Sequence, residues 1–133
     1  MTSAVPATPL ILWLAVALGG ALGALARYSV SIAWMPAQLK FPVATLTVNV
    51  LGSFLMGVFY VVIVEKAMLA PVWRHVIMIG FLGAFTTFST FSIESLHLWQ
   101  SGHWQIAISY VVANVVLSIS AVVVAIVLTE KLV

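Results

Sequence analysis

Seven polar side chains interrupt an oily stretch in GFLGAFTTFSTFSIES, residues 80–95: Thr86, Thr87, Ser89, Thr90, Ser92, Glu94 and Ser95. Hydroxyl and amide donors can replace the water held by an anion, whereas a cation path uses carboxylates or rings of carbonyls. Phe88 and Phe91 lie among them, three residues apart. An aromatic ring has a negative face and a positive edge, so two such edges suit an anion passing between helices; the same spacing also serves ordinary packing. Glu94 fits either a proton-coupled carrier or a carboxylate near a helix end paired with Arg, His or Thr.

Two more polar stripes occur at intervals of four: Thr45, Asn49 and Ser53 beside Gly52, and Tyr110, Asn114 and Ser118. That spacing places each set on one helical face. A serine or threonine can return its hydroxyl to the backbone one turn earlier. An asparagine brings two donors and an acceptor, so Asn49 and Asn114 are either interhelical clamps or pore lining. Arg27, in LGALARYSV, can snorkel to an interface, hold a carbonyl or helix end, or draw anions toward an entrance. His75, His97 and His103 lack metal-ligand spacing on one helix, and with no aspartate a Ser-His-Asp set is excluded. Cysteine is absent too, so disulfide and thiol chemistry are excluded, and the chain is read as no enzyme.

The elements that must position these residues follow from composition. The 133-residue chain is 64% hydrophobic and 6% charged, far outside the range of soluble domains. A bilayer core needs about 20 apolar residues per helix, so the chain supplies roughly four spans. They are expected at Leu10–Trp34, Phe41–Val64, Val72–Trp99 and Trp104–Thr129, joined by MPAQLK, EKAMLAP and QSGH. These links are too short for a soluble domain, so residues 1–133 form one transmembrane domain and any site lies among the helices. The start, MTSAVPATPL, lacks the basic region of a secretory signal and is expected to be retained. The net charge of +2 forms no basic patch, which argues against a nucleic-acid partner; the partner is lipid.

Orientation is weakly specified. Lys66, Arg74 and Lys131 lie on one side against Arg27 and Lys40 on the other, a count of three to two. Insertion both ways, giving an antiparallel pair, is compatible with that balance. Gly19 and Gly23 form a GxxxG pattern, with Gly20 and Ala24 at the same spacing and Gly52 and Gly57 in the second span; close backbone approach within a monomer and at a dimer interface both fit. In the third span, Gly80 and Gly83 precede the hydroxyl cluster. A break there would free backbone groups, tolerated where they are buried or line a cavity and often used to hold an ion. A helix resuming near Thr87 is expected to place Phe88, Phe91, Ser92 and Ser95 on one face and Thr87, Thr90, Glu94 and His97 on the opposite one.

With these motifs in order, the chain resembles the small bacterial Fluc (CrcB) fluoride channels. The resemblance covers nearly the whole chain: GGALGALARY in the first span, ATLTVNVLGSFLMG in the second, GFLGAFTTFSTFSIE in the third and a polar-striped fourth. It implies an all-α membrane protein whose third helix is broken near Gly83 to Thr87, assembled as an antiparallel dual-topology homodimer in the bacterial inner membrane. It further implies two fluoride pathways and a structural Na+ ion at the dimer interface, held by the carbonyls of Gly83 and Thr86. Phe88 and Phe91 resemble the paired phenylalanines that contact fluoride, and Asn49 the pore asparagine. Tyr110 and Ser118 resemble the polar track of the last span, with Asn114 between them where members vary. Arg27, Thr45, Thr87 and Glu94 take structural or vestibule positions. Ala44 and Ala84 stand where the family often has glycine, each adding a methyl group.

The expected function is passive, fluoride-selective export down the electrochemical gradient. A small dual-topology proton-coupled multidrug transporter is the alternative, although it normally carries a carboxylate deep in its first span, which is missing here. An interaction subunit whose polar stripes are helix clamps is a third reading.

Overall fold

The computed structural model describes residues 8–133, so the first seven residues, MTSAVPA, expected to be retained, lie outside the described residues. Every regular element among the described residues is helical. Helix α1, Pro9–Trp34, starts with proline in its first turn, where the missing N–H would have no helical partner anyway. A short 3-10 turn, Met35–Ala37, ends it with Gln38 in the left-handed region. Helix α2, Val43–Phe59, continues in widened π-type turns over Tyr60–Glu65. Helix α3 runs in similar wide turns over Arg74–Leu82 and ends in one α-helical turn, Gly83–Phe85. Helix α4, Phe88–Gln100, completes the third span, and α5 is Trp104–Leu132. Gly102, at φ 82°, provides the left-handed residue that lets α4 and α5 join through a tight turn.

Four segments are long and apolar enough to cross a membrane: Pro9–Ala37, Val43–Glu65, Arg74–Gln100 and Trp104–Leu132. These match the spans expected from the sequence. The wide turns in the second and third spans leave no mark in the hydrophobic pattern and were not anticipated.

Two close helix pairs organise the bundle, α1 with α3 and α2 with α5, and α4 packs on α5 and α2. The first pair is a glycine seam. A Cβ at Gly19 would strike the carbonyl of Val76, and one at Gly23 the carbonyl of Phe81; at Gly80 it would lie 2.8 Å from the carbonyl of Val16. The GxxxG pattern therefore serves packing within the chain, settling one of the two readings open in the sequence. Side chains of α1 on the other side, including Trp13, Leu18, Leu22 and Leu25, are exposed. In lipid such side chains meet a solvent as apolar as themselves.

The core beside α4 is a cluster of Phe91, Leu98, Ala107 and Tyr110, with Phe41, Leu46 and Ile106 packed on it. Tyr110 is fully buried, its ring edge-on to Phe41 and tilted against Phe91, with centroids 5.4 Å away in both cases. This cluster fixes α4 relative to α5.

Candidate functional site

The third span breaks at two threonines. Thr86 (φ −79°, ψ 157°) and Thr87 (φ −150°, ψ 119°) are both extended, within the range expected from Gly80, Gly83 and the hydroxyl cluster. Thr86 closes α3 twice, through its N–H at 3.1 Å and its hydroxyl at 2.9 Å to the carbonyl of Leu82. Thr87 caps α4 by accepting the N–H of Thr90 at 3.2 Å, and its hydroxyl donates to Thr90 Oγ1 at 3.1 Å. Threonine suits both roles, because its hydroxyl can serve a turn that the backbone leaves unfinished. Ala84 stands in the last turn of α3, half-buried, and its methyl group is accommodated beside the break.

An extended residue in a membrane span exposes an N–H and a C=O that need partners. Asn49 of α2 supplies both for Thr87: its Oδ1 accepts the Thr87 N–H at 2.8 Å, and its Nδ2 donates to the Thr87 carbonyl at 3.2 Å. Nδ2 also donates to Asn114 Oδ1 at 3.0 Å, and Asn114 Nδ2 donates to the carbonyl of Tyr110 at 3.1 Å. Beneath the break, Gly52 leaves room for the Thr86 methyl and the Phe85 ring, both of which a Cβ would meet.

One turn along the same stripes lies the second polar knot. Glu94 accepts from Thr45 Oγ1 at 3.1 Å and from Tyr110 Oη at 2.6 Å. Of the partners considered for this carboxylate, threonine is the one found; the tyrosine was not anticipated. The face assignment for α4 needs correction. Phe91 and Glu94 do not stand on opposite faces: both reach Tyr110, one through its ring and one through its carboxylate. At 3.6 residues per turn, three residues bring a helix back to within about 60°, so these two are neighbours.

The α2 and α5 stripes meet α4 around a groove of about 380 Å³. Asn49, Asn114 and Ser118 border it, with Thr86, Thr87, Phe88 and Phe91 along the α4 side. The phenylalanine rings lie 5.3 Å apart at 53°. Phe91 is buried, whereas Phe88 is 77% exposed, so the groove is open along its Phe88 edge. Ser118 Oγ is buried without a hydrogen-bond partner, a free donor beside the groove. Most expected pathway residues are thus brought to one place; Tyr110 is the exception, lying behind the groove with its hydroxyl bound to Glu94.

Arg27 is half-buried on α1, with its Nε free of hydrogen-bond partners. Its carbonyl accepts Ser31 Oγ at 3.1 Å. Among the described residues, no cluster of His, Cys, Asp or Glu could hold a metal ion. A cation here would be held by neutral oxygens, those of backbone carbonyls, hydroxyls or amides. The helix end at Phe85 leaves carbonyls of its last turn without intrahelical donors. Gly83 is exposed there, and a Cβ on it would meet only the carbonyl of Met78, at 3.8 Å. That donor type fits a hard monovalent cation.

Comparison with known proteins adds the following. A family profile described as "CrcB-like protein, Camphor Resistance (CrcB)" matches residues 14–126. A protein of Saccharophagus degradans named fluoride-specific ion channel FluC is 99% identical over 133 residues, all of both chains. Proteins of the same name from Hahella chejuensis and Magnetococcus marinus are 50% identical over 117 residues and 46% identical over 109. These alignments cover 86% and 80% of this chain, and 91% and 87% of the relatives.

Proposed function

The chain belongs to the CrcB-like family, and from that premise we propose that it is a fluoride-selective channel, a multi-pass protein of the bacterial inner membrane that lets cytoplasmic fluoride leave passively. The observation that carries the reading is the groove in which the unpartnered Ser118 hydroxyl of α5, beside Asn114 and Asn49, faces two phenylalanines of α4. Its chemistry matches the name shared by relatives that align along most of their length.

Fluoride holds its water tightly, so a conducting path must return that hydration with donors. The pathway runs past Asn49, Phe88, Phe91, Asn114 and Ser118, with Tyr110 supporting it from behind. Ser118 Oγ is available to donate, and ring edges supply positive potential without a fixed charge that would trap the ion. Thr45 and Glu94 brace one end through Tyr110, and Thr87 sets the start of α4. Arg27 contributes positive charge at a vestibule. The membrane potential, negative inside, drives the anion outward.

The working unit is an antiparallel homodimer with a static sodium ion at its interface. The near-balanced distribution of basic residues and the open Phe88 edge favour such an assembly. Sodium would be held by the carbonyls of Gly83 and Thr86 from the two chains, tying the subunits together through the dipoles of those carbonyls. The transporter alternative is disfavoured because Glu94 is the one acid well inside a span, and it lies in the third span instead of the first.

Proteoliposomes loaded with potassium fluoride and opened with a potassium ionophore test the reading. A fluoride electrode should record rapid efflux, while the same vesicles loaded with chloride retain it. No flux, or proton-coupled movement of organic cations, would discard the channel.

A further inference from the structure

Asn49 has no N–H left for an anion. An asparagine amide carries two N–H groups and one acceptor oxygen. Its orientation here is fixed by chemistry: the Thr87 N–H can only donate and the Thr87 carbonyl can only accept, so Oδ1 faces the first and Nδ2 the second. The second N–H of Asn49 is taken by Asn114 Oδ1. The orientation of Asn114 is fixed in turn, because its Nδ2 donates to the carbonyl of Tyr110. The hydrogen bonds form a series from the α5 backbone through Asn114 and Asn49 to Thr87. By contrast, Ser118 Oγ, one turn beyond Asn114, is unpartnered.

We propose that Asn49 is a positioning residue: locked by Asn114, it splints the broken third span at Thr87 and thereby sets where Phe88 and Phe91 stand in the groove. Thr87 is the cap of α4, and Phe88 is the first residue of that helix. A shift at Thr87 is transmitted directly to Phe88 and, one turn later, to Phe91. The splint also satisfies two backbone groups that would each be expensive to leave bare in a membrane. Direct contact between Asn49 and an anion would require release of one of these bonds. This inference rests on the channel reading for its functional consequence, but the splint itself can be measured without any ion flux.

The test compares hydrogen–deuterium exchange over 86–90 with the fluoride-against-chloride reversal potential, in the full-length protein in lipid. Asn49→Ala should speed exchange in this segment by at least roughly tenfold, as expected when the Thr87 N–H loses its acceptor and the Thr87 carbonyl its donor. Asn114→Ala should speed it less, and the double variant should match Asn49→Ala alone, because the bonds act in series. Selectivity should fall in the same order. Ser118→Ala should leave exchange over 86–90 unchanged. Where Asn49→Ala does not fold, Asn114→Ala gives the decision by faster exchange confined to this segment. Unchanged exchange with lost fluoride flux in Asn49→Ala would overturn the proposal and make Asn49 a direct ligand. Additive effects in the double variant would overturn the series. A wild-type protein without fluoride flux would remove the channel reading, while the exchange data would still decide the splint.

Discussion

The rings of Phe88 and Phe91 lie 5.3 Å apart, yet Phe88 is 77% exposed while Phe91 is packed against Tyr110. The two phenylalanines share one wall of the groove but differ in what else depends on them. Replacing each by isoleucine separates these roles. Phe88→Ile should abolish fluoride efflux from liposomes and leave thermal unfolding unchanged. Phe91→Ile should abolish efflux and also lower the unfolding temperature, because it opens space in the cluster around Tyr110; truncation of a buried phenylalanine to alanine costs about 3–5 kcal/mol. Wild-type flux in both would remove the rings from the mechanism.

The carboxylate of Glu94 draws its donors from two different helices. Tyr110→Phe and Thr45→Val each remove one, and in a buried setting an acceptor left short by one hydrogen bond costs about 1–3 kcal/mol. Both variants should be less stable on denaturant unfolding and slower in efflux. Tyr110→Phe should be the more severe, since its bond is 2.6 Å against 3.1 Å. Equal stability of Tyr110→Phe and wild type would show that this bond carries no net weight.

The glycine seam between α1 and α3 gives a prediction from sterics. Gly23→Val directs its side chain into the backbone of Phe81, whereas a Cβ at Gly20 has its nearest neighbour, the carbonyl of Gly80, at 3.9 Å. Gly23→Val should yield little folded protein on size-exclusion chromatography. Gly20→Ala should elute and unfold like wild type.

In the proposed dimer, Gly83 would separate subunit folding from assembly. A Cβ there would meet no atom of its own chain nearer than the carbonyl of Met78 at 3.8 Å. Gly83→Val should therefore leave the helices intact by circular dichroism while weakening the dimer in cross-linking. Replacing sodium by choline should weaken the wild-type dimer in the same assay. A dimer indifferent to both changes would remove the sodium site from the interface.

Much of this arrangement was legible in the sequence because two periodicities carry it. Hydrophobic runs marked the four spans, and polar residues at intervals of four marked the faces of α2 and α5 that meet around α4. The break was legible from Gly80, Gly83 and the threonines. What the sequence left open depended on partners distant along the chain. GxxxG spacing states that backbones approach, not whose, and the contact with Val76 and Phe81 had to be seen. A single asparagine does not disclose that Thr87, 38 residues away, occupies its amide from both sides. The tyrosine beside Glu94 was hidden for the same reason, and the wide turns of α2 and α3 have no compositional signature.

The openness of the groove at Phe88 also bears on cellular safety. On the channel reading, a trough open along its Phe88 side would offer an ion no continuous aqueous route, so a newly inserted chain would not by itself discharge the membrane. In the proposed antiparallel pair, conduction would belong to the assembled dimer, and an unmatched subunit would stay electrically silent until it found another.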